Sequence, residues 1–149
     1  WITSRGLGDV YKRQNLGPRI ISKEVADNGL AMLRGVVMDG TASIADVSGY
    51  FVGGKTGTAD KPSAQGGYDK KKNITNFASI FPINEPKYVL VVTLDEAQDT
   101  SGPEPKRTAG WTAVPVSAEI IARVAPLLGL RPKFDIQSHV GVILSNWQE

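Results

Sequence analysis

The 149-residue chain has no cysteine, which excludes disulfides, thiolate metal sites and a cysteine nucleophile. It has one histidine, His139, with no partner for a catalytic triad, so a surface or packing role is expected for it. Apolar runs are short: glycine, proline or charge interrupts each one well before the ~18 residues that a membrane span needs. The first residues also lack the apolar centre of a signal peptide, so any membrane anchor is expected outside this chain. Basic clusters are scarce as well. The net charge of +2 is matched by the first fourteen residues, where Arg5, Lys12 and Arg13 stand against Asp9, and the rest is neutral. With no basic block longer than Lys70, Lys71 and Lys72, nothing predicts a nucleic-acid partner, because such binding rests on clustered phosphate contacts. That lysine run reads as a solvated loop.

What is present is ordinary for one globular domain with a real core: 41% hydrophobic and 21% charged residues. Residues 1–14 have neither a helical nor a strand period and differ in charge from the rest of the chain. They read as a non-native leader, in front of a patterned region at 15–130 and a tail at 131–149. From Ser22 to Asp39 the pattern is helical, with Ser22 as cap, Glu24 in the first turn, Val25, Leu33, Val36 and Val37 on one side, and Gly40 as the stop. "YFVGG" suits the start of a strand. Residues 61–73, with Pro62, Gly66 and Gly67, read as a surface loop. "ITNFASIFPI" and "KYVLVVTLDEA" then form two strands joined through Asn84, Pro82 and Pro86. Both strands are apolar at odd and even positions, which predicts cover on both faces. A loop through Trp111 leads to a helix carrying Val116, Ile120, Ile121, Val124 and Leu127 or Leu128, with Pro115 in its first turn and Gly129 after its end. In the tail, "VGVIL" reads as an edge strand or a docked segment. Trp111 and Trp147 read as cover for hydrophobic surface.

"SGYFVGGKTGTAD", residues 48–60, supports two incompatible readings. From Gly49 it matches the phosphate-binding pattern G-x-x-x-x-G-K-T, and from Lys55 it spells K-T-G-T. A phosphate loop requires a strand, a glycine-rich turn and then a helix whose free N–H groups meet the phosphates. Here the variable positions Tyr50, Phe51 and Val52 are the best strand formers of the region. Gly57, Pro62, Gly66 and Gly67 preclude the helix. The K-T-G-T reading needs an extended segment from about Tyr50, a loop, and more antiparallel strands. A strand lining a cleft can pair its backbone with an extended peptide, and Lys55 supplies positive charge for a carboxylate. Thr56 and Thr58, two apart, point to one side and can offer two hydroxyl donors to one anion. Gly57 faces the other way and permits close packing. The acids Asp95 and Glu96 at a strand end read as solvated loop rather than as a metal site.

"GGKTGTAD", the preceding "ISKEVADNGLAMLRGVVMDGTA" and the following "ITNFASIFPINEPKYVLVVTLDEAQ" together resemble the carboxyl-terminal part of a class B penicillin-binding protein. That family comprises the peptidoglycan D,D-transpeptidases, and the resemblance favours the division type over the elongation type. It implies an α/β (α+β) fold of the penicillin-binding transpeptidase and serine β-lactamase kind, an antiparallel sheet covered by helices on both faces, incomplete here. By resemblance, Lys55 tunes the electrostatics of the cleft, Thr56 and Thr58 hold the substrate carboxylate beside Gly57, and the backbone N–H of Thr58 is an oxyanion donor. The implied partners are the D-Ala-D-Ala stem peptide, β-lactams and, through a longer parent, cell-division membrane proteins. The implied location is the periplasm, at the inner membrane, and neither a cofactor nor a metal is implied. The family's S-x-x-K and S-x-N motifs are missing: no serine has lysine three positions on, and Ser145 is followed directly by Asn146. Thr58 and Lys61 form T-x-x-K only by coincidence within the strand exit. Three rivals remain open: a serine β-lactamase or D,D-carboxypeptidase, a penicillin-sensing module, and a nucleotide-binding protein with a helix starting at Lys55.

Overall fold

A computed structural model describes residues 17–134; His139, Trp147, the "VGVIL" segment and the 1–14 leader lie outside the described residues. The order of elements is helix α1 (Lys23–Met38), strands β1 (Gly53–Pro62), β2 (Tyr68–Phe81) and β3 (Tyr88–Asp95), and helix α2 (Ala113–Leu127). Short 3-10 turns at Ser43–Ala45 and Ala109–Trp111 flank the sheet. Among the described residues no helix is long and apolar enough to cross a membrane.

Helix α1 begins as its cap residue predicts, the Ser22 side chain accepting from the Val25 amide at 3.2 Å. Its buried residues are Val37 and, unforeseen, Arg34; Val25, expected on the inner side, is exposed. The guanidinium of Arg34 donates to Asp46 Oδ1 and to the Val52 carbonyl, each at 2.8 Å. It thereby ties the helix to the chain just before β1, and a charge-assisted bond of this kind is among the stronger ones a protein makes.

The sheet is antiparallel in the order β1-β2-β3. The extended run starts at Gly53, later than the expected Tyr50. Phe51 sits at φ 47°, in the left-handed region, between the buried Tyr50 and Val52, and its carbonyl accepts from the Ile83 amide at 2.7 Å. The expected loop at 61–73 shrinks to residues 63–67, where Gly66 and Gly67 have φ of 91° and 74° and close the turn at no steric cost. Lys70, Lys71 and Lys72 are therefore on exposed strand rather than in a loop. The register slips beside them: Asp60 faces Asn73 but Lys61 faces Asp69.

Alternation along β2 and β3 separates the two faces. One carries Thr75, Phe77, Ser79, Phe81 and Val92 into the core. The amino end of α2 meets this face, Thr112 Oγ1 lying 2.9 Å from Thr75 Oγ1. On the other face α1 lies against the start of β1, where a Cβ on Gly53 would come within 3.2 Å of the Arg34 backbone nitrogen. Helices thus flank both faces, as the apolar patterning predicts, although Val89 and Val91 on the second face remain 71% and 60% exposed.

Helix α2 buries Ala113, Val114, Ser117, Ile121 and Ala125. The larger residues Val116, Leu127 and Leu128, expected inward, are exposed. Ile121, also expected inward, is wholly buried, and Ile120 packs against the core. Beyond the helix Gly129 adopts φ 74°, and the Leu130 amide returns to the Ala125 carbonyl at 3.1 Å.

Candidate active-site strand

Among the described residues strand β1 is an edge strand, paired with β2 only, an arrangement that can meet another extended chain. Two glycines bring it close to its surroundings. A Cβ on Gly54 would stand 2.5 Å from the Ala78 carbonyl oxygen and 2.6 Å from the Phe77 ring. One on Gly53 would stand 2.6 Å from the Ile83 side chain.

Lys55 lies inside this strand, where no helix starts, and the nucleotide-binding reading fails on that geometry. Thr56 pairs with Phe77 and Thr58 with Thr75, so both threonines are on the face of α2. Neither is lost to the interior: Thr56 is half-buried and Thr58 exposed. Both line an open cavity of about 430 Å³, together with Gly40, Thr41, Ser43 and Ile44 on one side and Thr108 to Trp111 on the other. Lys55 and Gly57 pair with Ala78 and Asn76 and belong to the opposite face. The Lys55 ammonium is exposed and donates to the Thr56 carbonyl at 2.8 Å. Gly57 leaves space for the Asn76 side-chain amide, 2.6 Å from where its Cβ would be. The structure therefore brings Thr56 and Thr58 together in one cavity and sets Lys55 around the strand from them.

Sequence reasoning missed several residues of the cavity. Thr41, just beyond α1, has its hydroxyl oxygen 2.8 Å from that of Thr56. The Ala109 amide donates to Thr58 Oγ1 at 3.1 Å. Trp111 is more than surface cover, since it walls the cavity and carries the Lys106 ammonium 3.3 Å from its ring centroid, a cation–π contact. Its one sequence signal was an aromatic residue in a Gly- and Pro-rich loop. For Thr41 and Ala109 no local signal existed.

Asp95 and Glu96 both pair with Lys61, the Glu96 contact being 2.8 Å. These two bonds hold the Lys61 ammonium above its ordinary value of 10.5. The acids clamp the far end of β1 to the end of β3, and among the described residues no group of acids or histidine could hold a metal.

An edge strand with two hydroxyls over an open cavity, in an antiparallel sheet flanked by helices, defines an α/β domain with a cleft along one sheet edge. The family profile described as the penicillin binding protein transpeptidase domain matches residues 6–122. A peptidoglycan D,D-transpeptidase FtsI homolog of Chlorokybus atmophyticus is 38% identical over 122 residues, covering 82% of this chain and 17% of its own length. Among solved structures, the transpeptidase domain of Burkholderia pseudomallei penicillin-binding protein 3 is 35% identical with a TM-score of 0.69, covering 82% of this chain and 35% of that one. A Mycobacterium penicillin-binding protein 3 complexed with ampicillin is 27% identical, with a TM-score of 0.64 over 85% of this chain and 30% of that one. The chain belongs to the penicillin-binding protein transpeptidase family, in its FtsI-type class B branch. It spans less than a quarter of the length of the curated relative described.

Proposed function

We propose that this chain is the substrate-binding edge of a serine D,D-transpeptidase whose nucleophile belongs to a longer protein. The carrying observation is the placement of Thr56 and Thr58 on one side of an edge strand, both open to one cavity. Their spacing suits the terminal carboxylate of a D-Ala-D-Ala stem peptide laid along β1. In the reaction so proposed, a serine oxygen attacks the penultimate carbonyl carbon and the peptide C–N bond breaks. D-Ala leaves with the proton, and an amine of a neighbouring strand then takes the acyl group and frees the serine. The Thr58 amide serves as an oxyanion donor, an interaction worth about 3 kcal/mol of barrier in enzymes generally. Supporting this, the Thr56 carbonyl takes the Lys55 ammonium and so marks the outward series of backbone groups, which recurs every second residue and includes Thr58. Lys55 contributes positive charge at that edge, and Gly57 keeps the strand thin between the two threonines.

β-Lactams would acylate the same serine, in keeping with the ampicillin complex of the mycobacterial relative. The longer protein is proposed to lie in the periplasm, anchored in the inner membrane, and to work with cell-division membrane proteins. The missing S-x-x-K and S-x-N motifs make this chain, taken alone, inactive.

A fluorescent penicillin tests both halves. The full-length protein that carries this chain should become covalently labelled, and the 149-residue chain should not. In the full-length protein Thr56→Val and Thr58→Val should each slow labelling about tenfold or more, the cost of removing a hydrogen bond to a charged group. Labelling of the short chain, or undiminished labelling of both variants, would overturn the proposal.

A further inference from the structure

A hydroxyl has one proton to give and two lone pairs with which to receive. What Thr56 and Thr58 can offer a ligand therefore depends on what stands behind them. Behind Thr58 is the Ala109 amide, 3.1 Å from Oγ1. An amide N–H can only donate, so Thr58 accepts there and keeps its own proton for the cavity. Behind Thr56 is the Thr41 hydroxyl at 2.8 Å, a contact in which either oxygen can be the donor. A single proton occupies that gap. When an anion fills the cavity the Thr56 proton turns to it, and the proton in the gap must then come from Thr41.

We propose that Thr41 is a positioning residue which, with the Ala109 amide, turns Thr56 and Thr58 into a pair of outward-aimed donors selective for a carboxylate over a neutral ester or amide. This rests on the reading of β1 as the carboxylate-binding edge. The framework behind the two donors is rigid. The Ala42 amide returns to the Val36 carbonyl at 3.2 Å, holding the turn after α1. A Cβ on Gly110 would come within 2.7 Å of the Thr41 carbonyl oxygen, so the loops bearing Thr41 and Ala109 are in direct contact. The two hydroxyl oxygens are thus in place before the ligand arrives, and binding requires only a rotation of hydroxyl protons.

The pair also imposes a preference. With both hydroxyls receiving from behind, two protons face the cavity, an arrangement that satisfies a carboxylate. An ester or a primary amide lacks the negative charge that strengthens such bonds.

The test uses the full-length protein that carries this chain, labelled with a fluorescent penicillin and with the methyl ester of the same compound. Wild type should label faster with the free acid. Thr41→Val should slow acid labelling about 3- to 10-fold, the equivalent of one net hydrogen bond. Ester labelling should change less than about twofold, narrowing the ratio, and Thr41→Ser should restore it. A merely structural role would slow both compounds alike. Equal slowing, no slowing, or failure of Thr41→Ser to restore the ratio would overturn the inference while leaving the proposed function intact. If Thr41→Val does not fold, Thr41→Ala is measured for the same narrowed ratio, and an unchanged ratio counts against the inference. Wild type unlabelled by either compound would instead sink the underlying reading of β1.

Discussion

The two faces of the sheet are built from the same strands and comparable apolar residues, yet they have different surroundings. Beneath α2, Phe77, Thr75 and Ser79 are wholly buried, and every buried side-chain polar atom among the described residues has a partner. On the opposite face α1 reaches only the beginning of β1, and Val89 and Val91 stand largely in solvent. The face with dense packing is also the one that fixes Thr56 and Thr58 against Thr41 and Ala109. The two hydroxyls are held by the packed side, and the charge of Lys55 is on the side left open. Hydroxyl direction needs a rigid backing, whereas a flexible ammonium acts as a point charge from a distance.

The contrast predicts a graded set of outcomes for urea unfolding of the chain. Phe77→Ala removes the largest fully buried side chain and should cost about 3–5 kcal/mol, through lost burial and the cavity left behind. Gly54→Ala comes next, at about 1–3 kcal/mol, because its Cβ would press on the Ala78 backbone oxygen. Gly57→Ala, facing the opposite way, meets only the movable end of Asn76 and should cost under about 1 kcal/mol. A reversed order for the two glycines would refute the division into a packed and an open face. Val91→Thr, at a position 60% exposed, should change stability by no more than about 0.5 kcal/mol.

The smallest effect is expected from pH. The Lys61 ammonium is held above 10.5 by Asp95 and Glu96, so its folded form favours the charged state more than the unfolded chain does. That contribution is present through neutral pH and disappears as pH rises beyond about 10.5 through the folded value. Lys61→Met should abolish this part of the alkaline decline, and added salt should weaken it in wild type, as for any exposed ion pair.

Much of the architecture was legible from local pattern. Ser22 announced the start of α1 and Pro115 and Gly129 bracketed α2, whereas the cover on both faces that the apolar pattern of β3 predicted does not extend to Val89 and Val91. Legibility failed where a distant contact overrode a local preference. Tyr50 to Val52 are good strand formers, but Phe51 takes a positive φ, with its carbonyl bonded to the distant Ile83 amide, and the strand begins only at Gly53. Of the large residues of α2 expected inward, Ile121 is wholly buried and Ile120 packs against the core, but Val116, Leu127 and Leu128 are exposed and Ser117 and Ala125 take the remaining buried positions. Lys70 to Lys72 looked like a loop because charge was visible, and the pairing to either side of them, Asp69 with Lys61 and Asn73 with Asp60, was not.

For the site, the period of a strand was enough to place Thr56 and Thr58 on one side, since successive side chains in an extended chain must alternate. Nothing local could show that Thr41, fifteen residues earlier, and Ala109, fifty-one residues later, would stand behind them. Sequence by itself determined which hydroxyls share a face, because backbone geometry alone dictates it. Only the tertiary structure decided which groups stand against them, because Thr41 and Ala109 are distant in sequence and reach the strand only through folding.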